Sequence, residues 1–180
     1  MKCTFYRPNE VNVKEFKNIV DKLSSDLHEL ERENYNETIV SKYVDTLCSL
    51  AKKTEHNPEM SFLGLWNPAD MPHDARVDFF YKPTYLATAF IIKAALLYPS
   101  LLSNMVKETL SSLLLACTAR RFECGGTLRL SDCLSIFENA GITDFIEKYP
   151  DMCRQFNQLY KRRKAFLEKG GIDPRERWYM

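Results

Sequence analysis

Residues 82 to 100 read KPTYLATAFIIKAALLYPS, and from Pro83 to Tyr98 only Lys93 carries a charge. The run is long enough for four turns of helix and apolar on nearly every side, which places it at the centre of a fold rather than on its surface. It is shorter than the roughly 20 apolar residues that span a bilayer. Pro83 suits a first helical turn, where its missing N–H costs nothing, and Pro99 ends the run. A second apolar helix is predicted from about Ser103 to Phe122, with Val106, Leu110, Leu113, Leu114 and Cys117 along it. Gly125 and Gly126 supply its stop. The two together, residues 83 to 122, predict a central apolar hairpin.

Upstream, Val13, Phe16, Val20, Leu23, Leu27 and Leu30 recur at spacings of three and four, predicting an amphipathic helix from about Val13 to Glu31 behind an Asn12 cap. A second helix resumes near Glu37, with Val40, Tyr43, Leu47 and Leu50 on one face. Residues 12 to 53 therefore read as an N-terminal helical hairpin. Downstream, residues 127 to 170 predict shorter helices: Leu130 to Ala140 before Gly141, Asp144 to Tyr149 behind a Thr143 cap, and Asp151 to Lys169 closed by Gly170 and Gly171. The tail IDPRERWYM reads as irregular.

Between the two hairpins, about 54 to 82, the periodicity stops at Pro58, Pro68, Pro72 and Pro83. A connection of this length is expected to contain short helical or extended pieces. SFLGLW at 61 to 66 is apolar enough to be buried, and RVDFFY at 76 to 81 reads as an extended lead-in to the central helix. The fold class is thus all-α: a single-domain multi-helix bundle of six or seven helices with a long irregular loop.

Composition agrees. Apolar residues make up 45% of the 180 and charged residues 27%, and only 6 are glycine, as in an ordinary helical globular chain. A net charge of +1 leaves no global field to draw in nucleic acid, which argues against a dedicated nucleic-acid binder. The start, MKCTFYRPNE, has no apolar run of the kind a signal peptide needs, and the six cysteines form no disulfide-like framework. Reduced thiols in a cytoplasmic setting are the expectation.

No residue pattern fixes a reaction or a cofactor. Cys117, Cys124 and Cys133 lie too far apart, with no partner histidine nearby, for a structural zinc site, so no metal is expected. Cys124 follows Arg120 and Arg121, whose charges favour a thiolate, while a helix C-terminus opposes it. Gly125 and Gly126 lack the lysine and the strand-to-helix setting of a phosphate loop. The densest polar grouping is Arg76, Asp78, Tyr81 and Lys82 before the central helix, with Arg120 and Arg121 at the far end of its partner. An antiparallel hairpin brings the two groups to one end, where arginine forks and helix N-terminal amides suit a carboxylate or phosphate. The alternative is structural: Arg76 or Arg120 paired with Asp78 or Glu123 at a buried helix end. The basic run Arg154, Lys161, Arg162, Arg163, Lys164 and Lys169 reads first as a solvated helix face.

Two function classes follow. The leading one is a helical module that binds another protein through a helix face or the long loop, where Phe62, Trp66 and Met71 are of the types enriched at interfaces. Those same residues can instead cover the central hairpin as core. The alternative is a small enzyme or sensor that takes an anionic small molecule through Arg76, Arg120 and Arg121.

Overall fold

A computed structural model describes residues 22, 25, 30, 35–53, 58–63, 81–119, 122 and 129–172, and these are mostly helical. Six α-helices stand among them, with one two-stranded sheet: α1 (Glu37–Leu50), β1 (Ala51–Lys53), β2 (Ser61–Leu63), α2 (Lys82–Leu97), α3 (Asn104–Cys117), α4 (Leu130–Asn139), α5 (Ile142–Lys148) and α6 (Arg154–Glu168). A 3-10 turn, Pro99–Leu101, joins α2 to α3. The expected helix over 13 to 31 lies almost wholly outside the described residues. Within it Lys22 and Ser25 have helical backbone, and Leu30 is buried.

The all-round apolar run behaves as its composition dictates. Every residue of α2 from Pro83 to Ala95 is buried except Lys93, which is half-buried. Around it pack Val40, Val44 and Leu47 of α1, Val106, Leu110, Leu113 and Leu114 of α3, and Phe137, Phe145 and Phe156 from the C-terminal helices. Each flanking helix is set by its own caps. Asn36 accepts a hydrogen bond from the Ile39 N–H at 3.0 Å and opens α1, with Glu37 placed where the helix dipole favours an anion. Ser103 accepts from the Val106 N–H at 3.3 Å and opens α3. Asp132 accepts from the Arg129 N–H at 3.0 Å at the start of α4.

Two helices near the C-terminus, α4 and α6, are followed by the glycines read from the sequence as their stops. Gly170 (φ 74°) and Gly171 close α6: the Gly170 N–H donates to the Leu167 carbonyl and the Gly171 N–H to that of Phe166, both at 2.9 Å. That is the Schellman arrangement, which satisfies two carbonyls the helix leaves open. Gly141 (φ 78°) sits between α4 and α5 beneath Leu96 and starts α5 at Ile142. The expected Thr143 cap is therefore displaced, because a left-handed glycine turns the chain earlier than a threonine cap would.

Two further expectations are corrected. No strand pair is expected from the pattern of residues, yet the end of the N-terminal hairpin and the start of SFLGLW form an antiparallel ladder, with Ala51 opposite Leu63, Lys52 opposite Phe62 and Lys53 opposite Ser61. All three residues of β2 are buried. The ladder is pinned to α2 by side chains: the Leu63 N–H donates to Thr84 Oγ1 at 3.1 Å, and the Thr88 hydroxyl donates to the Thr84 carbonyl at 2.6 Å. The Cys117 thiol donates in turn to Thr88 Oγ1 at 3.5 Å. Two threonines in an otherwise apolar helix thus satisfy a buried strand amide and a buried thiol, as buried polar groups require. The second correction concerns α3, which ends at Cys117 and not Phe122. Phe122 has φ 58° and is fully buried, so an aromatic in the left-handed region turns the chain there.

Candidate functional site

The Thr88–Cys117 contact fixes α2 and α3 as antiparallel, so the start of one and the end of the other do meet. Tyr81 and Lys82, both half-buried, stand at that end. Arg76, Asp78, Arg120 and Arg121 lie outside the described residues, as do Trp66, Met71 and Cys124. What occupies the described part of this end is aromatic. Phe62 packs edge-on to Tyr81 at 6.2 Å, and Tyr81 stands 6.4 Å from Tyr85. Tyr85 leads on to Phe122 (5.9 Å) and Phe137 (6.0 Å), and both of these reach Phe156. Phe62 is 4% exposed and rests on Ala116.

A different place collects accessible polar groups. At the opposite end of the central hairpin, the 3-10 turn and the start of α3 come against the first turns of α1. The Tyr98 hydroxyl donates to the Tyr35 carbonyl at 3.1 Å, and the Ser100 hydroxyl donates to the Glu37 carboxylate. Beside these ties runs a groove of about 530 Å³ lined by Glu37, Thr38, Ser41, Lys42 and Asp45 of α1, Ser100 and Leu101 of the turn, and Ser103 and Val106 of α3. The side chains of Thr38, Ser41, Lys42 and Asp45 are spent on no hydrogen bond or ion pair among the described residues. Such unspent groups are what a polar rim presents to a partner. A second recess of about 350 Å³ lies between Ser111, Leu114 and Leu115 of α3 and the stretch from Asp151 to Phe156.

Exposed apolar side chains occur on the two helices of the groove, α1 and α3, and at the end of α2. Of four large hydrophobics that are exposed among the described residues, Ile39 (47%) lies in the first turn of α1, Leu97 (40%) closes α2, and Met105 (55%) opens α3. The residues next to Ile39 and Met105 in the chain, Thr38 and Val106, line the groove. Sequence reasoning missed the site because it joins residues 63 positions apart, as in the Ser100–Glu37 bond. One signal was present. Met105 lies off the Val106, Leu110, Leu113, Leu114 stripe of its own helix.

The described thiols are unreactive by position. Cys48, Cys117, Cys133 and Cys153 are free and buried. Burial pushes the Cys48 thiol up, opposed by a Thr109 hydrogen bond and reinforced by Asp45, and burial pushes Cys153 up to about 12. A thiol whose folded pKa lies above its ordinary value favours the folded state below that ordinary value. The advantage is lost as pH rises through the folded pKa. Stability should therefore fall as pH climbs from 9.0 toward about 12, and the Cys153→Ala variant should show a shallower fall in urea titrations at pH 8 and 10.5, with pH values chosen to straddle about 9. Equal slopes in the two proteins would remove Cys153 from the account. No three His, Cys, Asp or Glu side chains among the described residues gather as a metal would need, and no helix there is long and apolar enough to cross a membrane. Comparison of the chain with protein families, curated proteins and solved structures finds no match.

Proposed function

We propose that this chain is a helical interaction module that binds another protein at the corner where α1 meets the turn between α2 and α3. The carrying observation is the groove with unspent polar groups, whose lining residues Thr38 and Val106 stand next in the chain to the exposed Ile39 and Met105. Single exposed apolar residues are ordinary on any surface, but two that stand next in the chain to the lining of a polar concavity suit the pattern of apolar anchors within a polar rim. The cytoplasm is the compartment this reading assumes, supported by four free cysteines.

The test compares the wild-type chain with an Ile39→Asp, Met105→Asp double variant in co-purification from the source cells, read by quantitative mass spectrometry. Both side chains are exposed, so the fold should survive with little change in thermal midpoint. Partners that depend on the corner should drop at least about tenfold in recovery, as loss of two anchors would require. Unchanged recovery of every wild-type partner by a folded variant would reject the corner as the interface.

A further inference from the structure

Helix α6 carries a concentration of charge the rest of the chain does not share. Its sequence RQFNQLYKRRKAFLE holds five cations and one carboxylate, a balance of +4 in a chain whose total is +1, so all other residues together sum to −3. Only Phe156 and Tyr160 of its fifteen residues are buried. Leu159, Phe166 and Leu167 lie half-buried against the core and define the inner side. At 100° per residue, Arg154, Gln158, Lys161, Arg162 and Lys169 fall within an arc of about 100° on the outer side, over a length of about 22 Å. All five are exposed.

The helix is held so that this side stays outward. Lys164, on the flank, bonds Glu138 of α4 at 3.0 Å. Burial raises the Tyr160 phenol, with the Glu138 carboxylate beside it adding to the effect, so Tyr160 stays a neutral side chain turned inward. Arg154 meets Asp151 at 2.7 Å, but with both side chains mostly exposed that pair is weak and exchangeable. Lys161, Arg162 and Lys169 have no hydrogen-bond or ion-pair partner among the described residues. Lys161 and Arg162 stand side by side in the chain and Lys169 about two turns further on, and a ligand that supplies carboxylates along that length would give each a partner.

We propose that the outer face of α6 docks an acidic segment of a protein partner, a helix or extended peptide that sets three or four carboxylates against Arg154, Lys161, Arg162 and Lys169. Charge complementarity carries the assignment, and a net charge of +1, which leaves no wider field to draw in a polyphosphate, favours a peptide over a nucleic acid. This surface is read from α6 alone, so it stands or falls separately from the corner groove.

The test uses the full chain and three fluorescent probes: a fifteen-residue helical peptide with glutamates along one face and leucines along the other, its Glu→Gln counterpart, and a fifteen-nucleotide single-stranded DNA. Binding is followed by anisotropy at low and near-physiological salt. The acidic peptide should bind, weaken with salt, and lose at least about tenfold in affinity when Lys161→Glu, Arg162→Glu and Lys169→Glu are combined. Circular dichroism confirms that the triple variant keeps its helices, as exposed substitutions should. The Gln peptide should bind at least about tenfold more weakly than the acidic one. Absence of acidic-peptide binding, equal binding by the triple variant, or DNA binding as tight as the peptide's would each overturn the proposal, the last in favour of a nucleic-acid surface. The Ile39→Asp, Met105→Asp variant should bind the acidic peptide like wild type, which keeps failure of this surface distinct from failure of the groove.

Discussion

Replacing Phe90 with alanine should lower the unfolding free energy by about 3–5 kcal/mol, the range for truncating a fully buried aromatic. Phe90 is 0% exposed at the middle of α2, and its ring meets Tyr43 of α1 edge-on at a centroid distance of 4.6 Å. Truncation removes the transfer gain of the ring and leaves a cavity that helices on several sides cannot all close at once. It also removes an aromatic pair worth about 0.5–1.5 kcal/mol beyond its area. In a chain of this length each kcal/mol moves the thermal midpoint by about 2–4 °C, so the midpoint should fall by about 6–20 °C. Urea titration gives the free energy directly. A loss below about 1 kcal/mol would mean the helix lies at the surface, and the architecture built around it would be wrong.

That α2 is central was legible because its apolar residues leave no polar face for solvent, which is a property of composition over sixteen residues and needs no partner to be seen. The helices around it were legible through stripes such as Val106, Leu110, Leu113 and Leu114. Their glycine stops at 141 and 170 were legible because only glycine takes positive φ at little cost. The β1–β2 ladder was not. Strands of three residues are too short to show a period of two, and Ala-Lys-Lys at the end of α1 has ordinary helix propensity. What holds the ladder is Thr84, whose hydroxyl meets a strand amide 21 positions earlier, and local reading has no access to a contact at that separation. The same limit hid the groove. Its walls come from residues 37 to 45 and 100 to 106, and nothing in either stretch names the other. The basic run of α6 was visible as a solvated face. Which of its cations have partners became visible only when Glu138 and Asp151 were placed.

The turn at Phe122 yields a prediction in which the sign of a difference, not only its size, is at stake. The sequence predicts the second helix of the hairpin to run as far as Phe122, and a continued helix would place that residue in right-handed backbone. The structure instead gives Phe122 φ 58°, a conformation that costs a side-chain-bearing residue about 1–2 kcal/mol. The ring offsets that cost by its surroundings, standing 5.9 Å from Tyr85, 5.9 Å from Phe137 and 5.6 Å from Phe156. Phe122→Ala should therefore lose about 3–5 kcal/mol, since the packing goes and the backbone penalty stays. Phe122→Gly loses the same packing but is relieved of the penalty, and should be more stable than the alanine variant by about 1 kcal/mol. In a helix the order reverses, because glycine is worse than alanine there by about 0.8–1.0 kcal/mol. Chemical denaturation of the two variants side by side decides between these. An alanine variant more stable than the glycine variant would return Phe122 to α3, and with it the turn that carries the chain from the central hairpin to α4.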